Sequence, residues 1–153
     1  MREAEHRLSE LGLQPPEVPP TVANGLNFLL ASDQLLISGQ IARDAADRVL
    51  TGFLGGGVTI EDGQTATRQA ALALLAQART ALGYLDRIVK VLRLTGFVTA
   101  ARNFVDRPKV GSGASDLLVA MLGDAGRHPR SVVGVAGLPM GASVELDAIL
   151  KAR

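Results

Sequence analysis

The chain has no cysteine and no tryptophan. Without thiols there is no disulfide, no thiolate metal site and no cysteine nucleophile, which fits a reducing compartment. Aromatic residues make up 3% of the sequence, too few for the stacking platforms that hold single-stranded nucleic acid. Charge of neither sign dominates. Lys and Arg total 16 against 15 Asp and Glu, and a net charge of +1 gives no electrostatic footprint for nucleic acid or an anionic membrane. No uninterrupted apolar run approaches the roughly 18–20 residues that cross a bilayer. The two histidines, His6 and His128, are far apart in sequence and make no metal site. The opening MREAEHRLSELG is charged and lacks the apolar core of a secretory leader. The expectation is a soluble cytoplasmic protein with no nucleic-acid or membrane partner.

What is present suffices for one domain. At 153 residues, 47% apolar and 20% charged, the chain supports one hydrophobic core. Residues 3–11 suit a short helix with Leu8 and Leu11 on one side. Pro15, Pro16, Pro19 and Pro20 fix φ and withdraw donors, so an extended connector ends it. Residues 1–20 are thus an N-terminal helix and proline-rich connector packed on a domain of residues 21–153.

Leu26–Ala31 and Leu35–Ser38 read as a hairpin around Ser32-Asp33-Gln34. Residues 42–48 are polar loop, and Val49–Phe53 suits a short strand. Gly55-Gly56-Gly57 lacks the Gly-Lys-Ser/Thr ending of a phosphate loop and reads as a turn. Thr59 is placed to cap a helix over 60–82, with Asp62 as the reciprocal capping-box residue and Gly83 as the stop. Ala71, Leu74, Leu75, Ala78 and Leu82 form its apolar stripe. Ile88–Val98 reads as a long strand, with Leu92, Leu94 and Val98 on one face and Val91, Arg93, Thr95 and Phe97 on the other. A loop over 103–108 and a helix over 113–122 follow. The alternation of strands and helices is irregular, so an α+β sandwich is expected: a mixed sheet with two helices on one face. The second face stays open, a liability unless an oligomer covers it.

The final stretch, Arg130–Leu150, reads as two strands joined at Leu138-Pro139. Arg130 opens the first, and Glu145 and Asp147 lie in the second, taken as its neighbour. Charges in apolar strands are costly unless they serve something. Two readings stay open: a fold-stabilising ion pair across strands, or an anion-binding site.

Ser38-Gly39-Gln40, the strand around Val91–Phe97, Asn103-Phe104, Pro129-Arg130-Ser131, Leu138-Pro139 and Val144–Ile149 resemble, in order and spacing, the RidA/YjgF-like family of reactive enamine and imine deaminases. The likeness spans residues 26–152. Gly113–Leu118 and Gly126–Ser131 are similar to a mostly uncharacterised branch of that family. The resemblance implies a chorismate-mutase-like fold and a homotrimer whose sheets face inward as a barrel, with clefts between subunits. It implies that Arg130 binds a substrate carboxylate and that Glu145 positions a water. Ser38 and Val132 would lie beside the ligand, Val132 standing where the family carries cysteine. The implied activity is hydrolytic deamination of 2-imino or 2-enamino acids to 2-oxo acids and ammonia, with no metal or organic cofactor.

The chemistry is coherent. A guanidinium holds a carboxylate with two parallel hydrogen bonds. An imine carbon is already electrophilic, so water needs positioning and modest base assistance. Plainer roles are also open: Ser38 satisfying backbone at a strand end, His128 serving structure or the cleft rim, Lys90 and Arg93 lining a subunit interface. Besides Val132, two further family positions depart. The cleft tyrosine of deaminating members falls near Gly25, and small residues near Ser112 replace an asparagine. The second function class is therefore a non-catalytic trimer that binds a small carboxylate as a sensor or accessory protein.

Overall fold

The chain crosses its main sheet five times. In the computed structural model, which describes residues 2–21 and 23–153, β1 (Phe28–Ala31) and β2 (Gln34–Ile41) form the expected hairpin. Ala31 pairs with Gln34, so the turn is Ser32-Asp33, one residue shorter than the sequence reading. Ser32 takes φ 57°, the left-handed conformation that two-residue hairpin turns require. The expected strand at 49–53 shrinks to β3 (Phe53–Leu54), which pairs locally with β4 (Gly57–Val58). Val49 and Thr51 make only isolated bridges.

α2 (Ile60–Leu82) has both capping-box bonds between Thr59 and Asp62, and Gly83 follows it with φ 88°. Its buried side is rich in alanine, including Ala66, Ala70, Ala71 and Ala78, so the helix presses close to its neighbours. β5 (Ile88–Thr99) is the central strand. α3 (Arg107–Leu122) starts six residues before the expected helix, with Pro108 in its first turn. Gly113, the first residue of the expected helix, sits where α3 crosses α2. A Cβ at Gly113 would lie 2.0 Å from the Gln64 carbonyl oxygen of α2. At the same crossing, the Thr67 hydroxyl donates to the Val110 carbonyl at 2.7 Å.

β6 (Arg130–Val135) and β7 (Val144–Ala152) complete the sheet, whose order is β1-β2-β7-β5-β6. β6 and β7 are not neighbours, contrary to the sequence reading. Both pair with β5, β6 in parallel and β7 antiparallel. β6 is therefore an edge strand, and β5 stands between Arg130 and the carboxylates of β7.

The faces of β5 also differ from simple alternation. Its pairing with β7 shifts between Ile88 and Lys90 and again between Val91 and Arg93. Each bulge inserts a residue and swaps the faces beyond it. Val91 thus joins Leu94, Gly96 and Val98 on the buried side, while Leu92 leaves it. α2 and α3 cover this side, and Ala4 and Leu8 of α1 (Glu3–Glu10) belong to the same core. The N-terminal helix is thus tied into the domain: its Glu5 accepts from the Leu85 amide, and Asp86 accepts from its Ala4 amide. Among the described residues no helix covers the opposite sheet face, where Leu29, Leu36 and Val133 are 51%, 39% and 44% exposed.

Candidate functional site

Two polar clusters flank the sheet, one on each face. The first is on the open face. β7 alternates strictly, burying Val144, Leu146, Ala148 and Leu150 and turning Glu145, Asp147 and Ile149 outward. Register places Phe97 of β5 beside Glu145 and Thr95 beside Asp147. Opposite them β2 carries an irregularity between Ile37 and Gln40, so Ser38-Gly39 forms a bulge. Gly39 is required there by close approach: a Cβ on it would lie 2.2 Å from Glu145 Oε1 and 2.7 Å from its Cδ. A buried amide pair supports the bulge. Gln40 Nε2 donates to the Ser38 carbonyl at 3.0 Å, and Gln77 Nε2 donates to Gln40 Oε1 at 3.4 Å.

Glu145 pairs with no cation among the described residues. Burial holds its pKa above the ordinary carboxylate value, and the charge of Asp147 adds to the rise. Burial raises Asp147 as well, against the Thr95 hydroxyl and the charge of Arg93. Arg93 in turn donates to Ser131 Oγ at 3.0 Å. The Ser38 hydroxyl is turned to backbone, within 2.9 Å of the Leu26 carbonyl and 3.0 Å of the Asn27 carbonyl. That is the strand-end role anticipated for it.

The second cluster is on the helix side, at the sheet edge. Arg130 is in register with Leu94 and shares its face, so its side chain runs over α3. Gly111 makes room: a Cβ there would be 3.3 Å from Arg130 Cζ. Arg130 NH1 donates to Ser115 Oγ at 3.0 Å, and NH2 donates to the Pro108 carbonyl at 3.0 Å. No carboxylate pairs with it among the described residues. His128 joins the cluster, with Nε2 3.0 Å from Ser115 Oγ. An open groove of about 320 Å³ is lined by Ser115, Val119, Arg127, His128 and Arg130.

Val132 packs its side chain beneath α3, where Gly111 and Gly96 admit it. Its amide is placed differently. Leu94 N–H donates to the Pro129 carbonyl, which puts the backbone groups of Arg130, Val132 and Gly134 on the free edge of β6.

The structure therefore groups Glu145 with Gly39 and the Ser38 bulge, and sets Arg130 apart on the other face. An ion pair between Arg130 and Glu145 or Asp147 does not form within one chain. Ser115, read from sequence only as lying near a helix start, was not assigned to the site, because its contact with Arg130 depends on how α3 packs against β6. His128 stands two residues before Arg130, and that spacing was the one available signal for it. Among the described residues, no three His, Asp or Glu side chains converge to hold a metal ion, and no helix is long and apolar enough to cross a membrane.

A family profile described as "YjgF/chorismate_mutase-like, putative endoribonuclease" matches residues 5–148. Protein TCP17 of Trypanosoma cruzi is 39% identical over 145 residues, covering 94% of this chain and 91% of that protein. The crystal structure of Atu1372 from Agrobacterium tumefaciens, of unknown function, superposes with a TM-score of 0.91 at 39% identity, covering 99% of this chain and 94% of that one. The crystal structure of a "putative endoribonuclease" from Shewanella oneidensis gives a TM-score of 0.92 at 32% identity, covering 97% of this chain and 98% of that one.

Proposed function

Because the chain belongs to the YjgF/chorismate-mutase-like family, we propose that it hydrolyses reactive 2-imino or 2-enamino acids to 2-oxo acids and ammonia in a cleft between subunits of a homotrimer. One observation carries the reading. Among the described residues the Arg130 guanidinium pairs with no acid, and it rests on a serine hydroxyl and a carbonyl. Two of its five N–H donors are used there, and about three remain for a carboxylate. A charged donor standing beside an open groove without a counter-ion is best explained by an anionic ligand. The net charge of +1 and 3% aromatic content favour a small carboxylate over a nucleic acid as that ligand.

Glu145 supplies the second group. Its raised pKa suits a residue that takes a proton from water and returns it to nitrogen. Since it lies across the sheet from Arg130, a substrate held by one copy meets the Glu145 of another. The open sheet face gives the copies a surface on which to associate. Val132 offers its edge amide to the ligand, and the Ser38-Gly39 bulge shapes the wall beside Glu145.

The test generates 2-aminoacrylate with a dehydratase and follows 2-oxo acid release. Added protein should accelerate release, and Arg130→Ala should lower ligand affinity by about 1.5–3 kcal/mol, roughly ten- to a hundredfold. Full activity in Arg130→Ala would show that the anchor is misassigned. The separation of Glu145 from Arg130 also favours a second reading, a trimer that binds a small carboxylate without turnover. Arg130-dependent binding with no acceleration would select it.

A further inference from the structure

Ser115 and His128 have no part in the reaction above, yet both belong to the cluster around its anchor. His128 Nδ1 lies 2.5 Å from the Gly126 carbonyl oxygen. A carbonyl only accepts, so Nδ1 carries the proton, and in the neutral ring Nε2 is a bare acceptor. Ser115 Oγ already accepts from Arg130 NH1, so its own proton goes to Nε2. The hydroxyl is thereby turned away from the groove.

A second proton on the ring reverses this. Nε2 then donates to Ser115 Oγ, and the serine proton must point elsewhere. The open side is the groove lined by Ser115, Val119, Arg127, His128 and Arg130. The resting ring stays neutral: burial lowers its pKa, and the charges of Arg130 and Lys90 add to that against the Gly126 carbonyl. The charged groups around the ring are Arg130 of β6, Lys90 of β5 and Arg127 of the connector, while α3 presents the uncharged Ser115. The exposed Asp124 carboxylate pairs with Arg127 at 3.6 Å.

We propose that Ser115 and His128 are the proton-handling half of the site anchored by Arg130: a carboxylate bound there draws a proton onto His128 Nε2 and takes a hydrogen bond from the turned Ser115 hydroxyl. This rests on Arg130 being the carboxylate anchor. The pair is thus a hydrogen-bond relay from the imidazolium through the Ser115 hydroxyl to the carboxylate, while the proton of the attacking water goes to Glu145 as above.

Pyruvate, the simplest 2-oxo acid, is the probe. Its binding to the full chain is measured by calorimetry from about pH 5 to about pH 8, with the His128 Cε1–H NMR shift reporting ring protonation. Pyruvate should raise the His128 pKa. The added affinity should be fully present below the free value and vanish as pH rises through the bound value, approaching about tenfold per pH unit between them. His128→Gln should make binding flat with pH. Ser115→Ala should lose the low-pH gain, and Ser115→Thr, which keeps a hydroxyl, should restore it. Wild-type binding that needs Arg130 but is flat with pH would overturn the relay and leave the anchor standing. Binding that Arg130→Ala does not weaken, or none at any pH, would overturn both.

Discussion

Glu145 and Asp147 sit two residues apart on one face of β7, and burial raises the pKa of each. The sign of the effect on stability follows. A folded value above the unfolded one means that the folded chain holds its proton more tightly, so ionisation opposes folding. Stability is greatest below the ordinary values, 4.5 for Glu145 and 3.8 for Asp147, and falls as pH climbs through the raised ones. Glu145→Gln should therefore melt higher than wild type at neutral pH while losing the proposed deaminase turnover. Melting curves should show the gap closing as pH drops towards 4.5, the ordinary Glu value. A gap that widens in acid would reverse the assignment. Stability given up at one carboxylate is the usual signature of a residue kept for chemistry. Gly39→Ala tests the same spot from β2. Its Cβ would displace the Glu145 carboxyl, which lies within 2.2 Å of that position. Glu145, pushed into solvent, should titrate nearer its ordinary value, as side-chain carbonyl NMR can measure.

At the scale of elements, some of the fold was legible and some was not, for reasons that differ. α2 was legible to the residue because its signals are local: Thr59 and Asp62 make the capping box, and Gly83 makes the stop. Thr59→Ala should cost about 1 kcal/mol in urea unfolding with an unchanged m-value. The first turns of α3 were missed because Pro108 and Gly111 argue against helix on propensity alone. The glycines answer to other elements: Gly111 makes room for Val132 and Arg130 of β6, and Gly113 for the Gln64 backbone of α2, 2.0 Å from where its Cβ would stand. Gly113→Ala should accordingly be destabilising by about 3 kcal/mol or more, although alanine is the better helix former. A stabilised variant would mean that α2 and α3 do not cross so closely. The bulges of β5 were equally hidden. A period-2 reading of Ile88–Val98 put Val91 outward, and only the pairing with β7 turns it in.

For the molecule as a whole, the question is what covers the sheet. Leu29, Leu36 and Val133 are exposed on a face that also carries Phe97 and Ile149. An apolar sheet face of this kind favours self-association. Sedimentation should find wild type at about three times the monomer mass, in line with a closed cyclic assembly. Leu36→Glu should shift it to monomer while leaving the isolated fold within about 0.5 kcal/mol of wild type, since that side chain touches solvent in the single chain. A wild-type monomer would remove the proposed cleft and with it the proposed meeting of Arg130 and Glu145.

The sequence by itself determined the α+β class, the hairpin, the capped central helix, the open sheet face and the family. These follow from patterning, capping and spacing that act over a few residues, or from motif order along the chain. Tertiary structure alone decided that β5 separates β6 from β7, and that register sets Arg130 beside Leu94 and Glu145 beside Phe97, on opposite faces. It alone brought Ser115 and His128 to the guanidinium. Strand order and helix register are fixed by contacts between residues distant in sequence, and no local pattern in the chain encodes them.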